Sequence, residues 1–227
     1  MTAEPYDGLI LDHDGVVVPL SPMSTLRSAA ADAFADAGVL APRPADIDAI
    51  TIRVTPAELR AVAGRYDLDP GRLWSHREDR IEAALRSEIE AGRKAPYDGV
   101  KRLEDLDAPL GIASNNQTRI VEFVLRTYGL ADRFGTVRAR APTLDSLEEK
   151  KPEPVYPEAA AADLGCSTPL YVGDSESDVV AGQRAGFDTV FLRRGHNADR
   201  ELTVEPTAEV STLTEVVELF DAGRGAD

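Results

Sequence analysis

The chain has 227 residues, 40 of them acidic and 25 basic, for a formal net charge of −15. A surface this acidic repels a nucleic-acid backbone or an anionic membrane, which argues against both as partners. The single cysteine, Cys166, cannot form an internal disulfide, and His13, His76 and His196 share no zinc-like spacing, so a cytoplasmic protein without a zinc site is expected.

The N-terminal MTAEPYDG is acidic and lacks the basic start and apolar stretch of an export signal. No apolar run is long enough to cross a bilayer. Gly8 to Leu11 reads as a buried strand that runs straight into Asp12, His13, Asp14 and Gly15. A turn needs only one Asp beside its Gly, so the second carboxylate asks for a chemical reason. From about Val17 to Ala95 helical patterns follow one another. Ser24 is placed to cap a helix through Ala37, Thr55-Pro56-Ala57-Glu58 has capping-box spacing, and Asp69-Pro70 opens a helix toward Ala91. In that last helix Trp74, Ile81, Leu85 and Glu88 share one face, which suits docking on a neighbouring element.

Pro96-Tyr97-Asp98-Gly99 reads as a turn, after which strands are expected at Pro109 to Ala113, Thr136 to Ala139, Leu170 to Val172 and Thr189 to Leu192. Helical patterns lie between them, as in Ile120 to Leu125, Tyr156 to Leu164 and Val179 to Ala185. Alternation of this kind implies an α/β domain with a parallel sheet covered on both faces, interrupted by the all-helical block. Ligands of such sheets bind beyond the carboxyl ends of the strands, where Asp12 and Asp14 sit. The tail from Ala222 to Asp227 is expected to be disordered.

Three further segments carry polar groups in a suggestive order. Ile112-Ala113-Ser114-Asn115 ends one strand, Lys150-Lys151-Pro152 precedes a helix, and Val172-Gly173-Asp174-Ser175-Glu176-Ser177-Asp178 ends another strand. With Asp12-His13-Asp14-Gly15, these resemble, in order, the four motifs of the haloacid dehalogenase (HAD) superfamily. One such motif alone is weak, whereas four in sequence across nearly the whole chain outside the helical block are strong. The resemblance implies a Rossmann-like core of residues 1–16 and 96–227, a helical cap of residues 17–95, and a hydrolase like the phosphoglycolate phosphatases. One departure is Val16, where phosphatases of this family usually carry Thr.

Asp12, Asp174 and Asp178 would bring several negative charges into one crevice, where they cannot all stay ionised without a compensating cation. Oxygen ligands select a hard divalent ion, and Mg²⁺ is expected because it is commonly held by one or two carboxylates, waters and a substrate phosphate. The family pattern implies that Asp12, the main-chain carbonyl of Asp14, and Asp174 hold it, with Asp178 behind them or linked through water. With the ion present, Asp12 can attack the phosphorus of a dianionic ester and form an aspartyl-phosphate. Asp14 would protonate the leaving oxygen and then take a proton from the hydrolytic water. Lys151, better matched to the family than Lys150, supplies positive charge to the phosphoryl group, and Ser114 with the Asn115 amide donates hydrogen bonds to it. Asp174 and Asp178 could equally cap the helix that follows them. His13 is given no catalytic part.

The expected activity is therefore Mg²⁺-dependent hydrolysis of a small phosphate monoester, with phosphoglycolate suggested by resemblance alone. A sugar-phosphate mutase and a 2-haloacid dehalogenase of the same superfamily are the alternatives, and a receiver-like phospho-aspartate binding module is the non-enzymatic one. One or two of Arg53, Arg60, Arg65, Arg72, Arg77 and Arg80 are expected to meet a substrate anion. Abundant acid with Lys only at 94, 101, 150 and 151 suggests adaptation to a salty cytoplasm.

Overall fold

The computed structural model describes residues 6–224, so the acidic N-terminal start and the last part of the expected disordered tail, 225–227, lie outside the described residues. In chain order the elements are β1 (Gly8–Leu11), α1 (Met23–Asp36), α2 (Pro44–Thr51), α3 (Pro56–Arg65), α4 (Pro70–Glu90), β2 (Leu110–Gln117), α5 (Thr118–Thr127), β3 (Thr136–Arg140), α6 (Val155–Leu164), β4 (Pro169–Gly173), α7 (Glu176–Arg184), β5 (Asp188–Leu192), β6 (Ala208–Val210) and α8 (Leu213–Arg224). No helix among the described residues is long and apolar enough to cross a membrane.

The strands form one six-stranded sheet in the order β3-β2-β1-β4-β5-β6. Its β1–β2, β1–β4, β4–β5 and β5–β6 pairs are parallel. This is the Rossmann-like α/β architecture expected from the alternation of strands and helices. β1 and β4 are buried along their whole length, as strands covered on both faces must be. α6 packs on β1 and β2 and α7 on β4 and β5, and Ile10, Ala113, Tyr156, Ala160 and Tyr171 share one core cluster. The chain steps from β1 through β2 to β3 on one side and then returns to place β4 on the other side of β1. The strand order thus reverses between β1 and β4, where open α/β sheets leave a crevice at the carboxyl ends.

The chain divides into two compact units. The sheet unit comprises Met1–Pro19, Ala95–Ala139 and Glu149–Asp227, and the helical unit comprises Leu20–Lys94 and Arg140–Glu148. The segment Arg140–Glu148, expected in the sheet domain, belongs instead with the helices, and its side chains give the reason. Buried Glu78 sits between two buried guanidiniums, Arg77 at 2.5 Å and Arg140 at 2.7 Å. Both guanidiniums lie over the Trp74 ring, and the Trp74 indole N–H donates to the Thr143 carbonyl at 3.2 Å. Leu147 completes the apolar cluster of Phe34, Ile50, Leu59, Leu73 and Trp74.

The other differences from expectation are local. α1 starts at Met23 after Pro22 without a side-chain cap, so Ser24 lies in its first turn. α2, with Pro44 at its start, was not expected. The Thr55 capping box with Glu58 forms, and Asp69 caps α4. Ala222 to Arg224, expected in the disordered tail, continue α8, whose Leu213, Val216 and Phe220 are buried. Among the arginines expected to meet an anion, Arg65, Arg77 and Arg80 are engaged by Asp46, Glu78 and Asp36 of their own unit.

Candidate active site

The strand ends of the sheet unit place the expected polar residues together. Asp12 follows β1, its N–H donating to the Val172 carbonyl of β4 at 2.8 Å, and its carboxyl is buried. Asp174 follows β4, and Asp178 lies one turn into α7. One carboxylate oxygen from each of these three buried residues lies within 4.8 Å of the others.

Lys151 reaches the same point. Its Nζ lies 2.8 Å from Asp12, 2.5 Å from Asp178 and 3.0 Å from the Ala113 carbonyl. The end of β2 holds it there. Asn115 Oδ1 accepts the Lys151 main-chain N–H at 2.8 Å, while Asn115 Nδ2 donates to the Lys151 carbonyl at 3.2 Å. The Asn115 side chain is thus engaged in positioning the lysine, a role the motif alone did not suggest. Ser114 is buried at the same strand end, and its Oγ accepts the Asn116 N–H at 3.2 Å.

Asp178 is held from several sides. Ser175 donates its N–H to Asp178 Oδ2 at 3.0 Å and its hydroxyl at 2.5 Å, forming the capping box of α7. The Tyr171 hydroxyl donates to Oδ1 at 3.2 Å. Asp178 therefore serves the helix start and the lysine together. Gly173 makes room for it, since a Cβ there would lie 2.1 Å from the Asp178 Cβ. Asp174 does not cap α7. His196 Nε2 lies 2.5 Å from its Oδ2, and Asn197 donates to its main-chain carbonyl at 2.7 Å. Burial and the nearby Arg200 and Arg194 hold the His196 imidazole below its ordinary pKa, so we read this contact as a hydrogen bond rather than a lasting ion pair.

Asp14 is half-buried beside this cluster. Asn116 Nδ2 donates to its Oδ2 at 2.7 Å, and His13 Nδ1 lies 3.3 Å from the same oxygen. His13 is fully buried, and its Nε2 has no hydrogen-bond partner among the described residues. Asn116, His196 and Asn197 were not singled out from sequence. The Asn-Asn pair at the end of β2 was the visible signal for the first, whereas nothing local marks the others, which reach the site through the loop after β5.

The electrostatics show an excess of negative charge. Burial pushes Asp12 up to about 7, with Lys151 opposing and Asp178 and Asp174 adding to the shift. Asp174 is also pushed up to about 7, by burial and then Asp178, against the pull of Lys151. Burial works against the Lys151 ammonium, yet Asp12 and Asp178 outweigh it and hold its pKa well above the usual lysine range. One lysine does not balance three buried carboxylates, and an arriving cation would relieve what remains.

The donor set fits a hard divalent ion such as Mg²⁺, because every acidic ligand available is oxygen. The turn after Asp12 also fits. Gly15 has φ +83°, and a Cβ there would lie 2.0 Å from Asp174 Oδ2, so only glycine lets the main chain come this close to that carboxylate.

A family model described as HAD-hydrolase-like matches residues 149–216, the stretch from the Lys151 loop through the Asp174 motif to α8. A phosphoglycolate phosphatase of Psychrobacter arcticus is 27% identical over 70% of this chain and 72% of its own. An (S)-2-haloacid dehalogenase of a Pseudomonas species is 30% identical over 59% and 58%. The chain is similar to haloacid dehalogenase-like hydrolases. Its fold agrees with that of a solved structure: a variant of CbbY from Rhodobacter sphaeroides, in complex with xylulose-1,5-bisphosphate, superposes with a TM-score of 0.69 over 92% of this chain and 96% of that one, at 17% identity. In this chain the segments that resemble the first and fourth motifs flank the point of strand reversal, and those that resemble the second and third meet through Asn115 and Lys151.

Proposed function

We propose that the chain is a Mg²⁺-dependent phosphatase of small phosphate monoesters, phosphoglycolate among them. The observation that carries this reading is the convergence of Asp12, Asp174, Asp178 and Lys151 where the strand order reverses. Asp12, Asp174 and the main-chain carbonyl of Asp14 would hold the ion. When bound, Mg²⁺ neutralises the gathered carboxylates and draws charge from the phosphoryl oxygens.

In the proposed reaction an Asp12 oxygen attacks phosphorus, forming an O–P bond as the ester O–P bond breaks. Asp14, held by Asn116, gives its proton to the departing alkoxide. Water then attacks the phosphorus of the aspartyl-phosphate while Asp14 takes the proton back, releasing inorganic phosphate and restoring Asp12. Lys151 lies against Asp12 throughout, where a fixed positive charge counters the charge on the phosphoryl oxygens. Ser114 stands at the strand end from which a donor can meet that group.

Phosphate release from a panel of esters, with Mg²⁺ and with a chelator, tests the reading. Turnover should vanish with the chelator and fall at least about 1,000-fold in Asp12→Asn, since removing a nucleophile leaves only binding and charge effects. Chelator-insensitive turnover overturns the metal assignment, and an active Asp12→Asn overturns the nucleophile. The likeness to the Pseudomonas dehalogenase favours a second reading, hydrolysis of a 2-haloacid at Asp12. Halide release from 2-chloropropionate without Mg²⁺ would select it, but it leaves Asp14 and the Asp174 and Asp178 pair without work.

A further inference from the structure

The loop that follows β5 carries a guanidinium that the proposed chemistry does not use. Two adjacent arginines leave the strand end, and they have different fates. Arg193 is spent inside the fold, donating to Glu209 at 2.8 Å and to the carbonyls of Asn197 and Arg200 at 3.1 and 2.7 Å. Arg194 is not. Its guanidinium carbon lies 3.9 Å from the centre of the Tyr97 ring, one Nη donates to the Val16 carbonyl at 3.3 Å, and its Nε is buried with no hydrogen-bond partner among the described residues. A buried donor left unmatched in the free protein is costly, and native structures rarely keep one without a use.

Both anchors of Arg194 belong to the rim of the acidic cluster. Val16 directly follows Gly15, whose main chain lies against the Asp174 carboxylate. The Tyr97 N–H donates to the Val17 carbonyl at 3.0 Å. The charges place them alike. Burial raises the Tyr97 phenol pKa, with Arg194 opposing and Asp174 and Asp14 adding. Burial lowers that of Arg194, with Tyr97 and Asp174 acting against it. A guanidinium stacked on a ring is covered on its face, and the partly exposed Arg194 keeps in-plane N–H donors beyond the one given to Val16 that a planar anion can engage.

A free anion would be repelled from a crevice lined with carboxylates in a chain of net charge −15. An anionic group attached to the phosphate ester itself is delivered together with the group that binds the metal and Lys151. We infer that Arg194, stacked on Tyr97, is the subsite for a carboxylate carried on the leaving group of the substrate, so that the substrate class is a short phosphorylated hydroxy acid. This rests on the phosphatase reading above. It places recognition of the second charge on the sheet unit, whereas the sequence pointed to the arginines of the helical block.

The test compares 2-phosphoglycolate with 2-hydroxyethyl phosphate, which replaces the carboxylate with a neutral hydroxymethyl group, in wild type, Arg194→Leu, Arg194→Lys and Tyr97→Leu. Wild type should prefer the carboxylated ester. The ratio of kcat/KM values should fall about 10- to 100-fold in Arg194→Leu, mainly through KM for 2-phosphoglycolate, because a charge-assisted pair is lost for one ester only. Arg194→Lys keeps the charge without the planar fork and should retain part of the ratio, and Tyr97→Leu should lower it by loosening the stack. Absence of a preference in wild type, or equal loss for both esters in the variants, overturns the subsite and leaves the phosphatase reading standing. If wild type releases phosphate from neither ester, the subsite is overturned, and the phosphatase reading stands or falls with the wider panel of esters.

Discussion

Gly15 shows how closely the candidate site depends on single atoms. Its left-handed φ disfavours any side chain, and the space a Cβ would need is filled by the Asp174 carboxylate. Gly15→Ala should therefore cost about 1–3 kcal/mol in stability, from backbone strain and displacement of Asp174. It should also lower turnover at least about tenfold, because a shift of about 1 Å in a positioned group is that expensive. Thermal unfolding and a phosphate-release assay check both, and a variant with wild-type melting and rate would show that the close approach is unimportant. Asn115 offers a parallel lesson. Its motif suggested that its amide meets the phosphoryl group, and the fold adds a second task, since its side chain grips the Lys151 backbone from both sides. A residue type and its spacing reveal that a polar group stands at a strand end, but not which neighbour arrives there from 36 positions further along.

Among the elements, the start of α2 gathers four contacts on one buried acid. Arg43 donates to both Asp46 oxygens at 2.7 and 2.8 Å, Arg65 to one at 2.8 Å, and the Tyr66 hydroxyl to the other at 2.6 Å. Arg43 is the main cause that pulls Asp46 down to about 2, against burial and with help from Tyr66 and Arg65. Because the pKa is depressed on folding, its stabilisation is fully present above the unfolded value of about 4 and is lost as pH falls toward about 2. Asp46→Asn should cost about 1–3 kcal/mol at pH 7, and the gap from wild type should persist to about pH 4 and narrow below it. Urea unfolding at several pH values checks this, and a gap that widens in acid would contradict it. The legibility of the elements follows from how local their causes are. β1, β3, β4 and β5 were readable because apolar runs end at turn residues, and the Thr55 capping box because its signal lies within four residues. β6, three residues at the sheet edge, has too little pattern to stand out, and α8 runs on into the tail expected to be disordered because the stripe of Leu213, Val216 and Phe220 ties it down.

For the molecule as a whole, a net charge of −15 means that every acidic surface group is opposed by many others. We infer that the fold is stabilised by salt. The Debye length shortens from about 10 Å at 0.1 M to about 3 Å at 1 M, which removes most of that repulsion. The melting temperature should rise steadily with KCl across this range, and a flat or falling curve would contradict the inference. The sheet was legible in the sequence because strand and helix alternate along the chain. The composition of the helical unit was not, because Arg140–Glu148 joins it through contacts with residues more than sixty positions earlier. That join sets when the helical unit can close during synthesis. While the ribosome has issued only the first 139 residues, Trp74 lacks its acceptor and Glu78 has one of its two guanidiniums, so four helices stand made but unsealed. Their closure waits for a strap of nine residues that emerges just ahead of the Lys151 loop, while the sheet still lacks β4, β5 and β6, so the helical unit can reach its final packing before the sheet unit does.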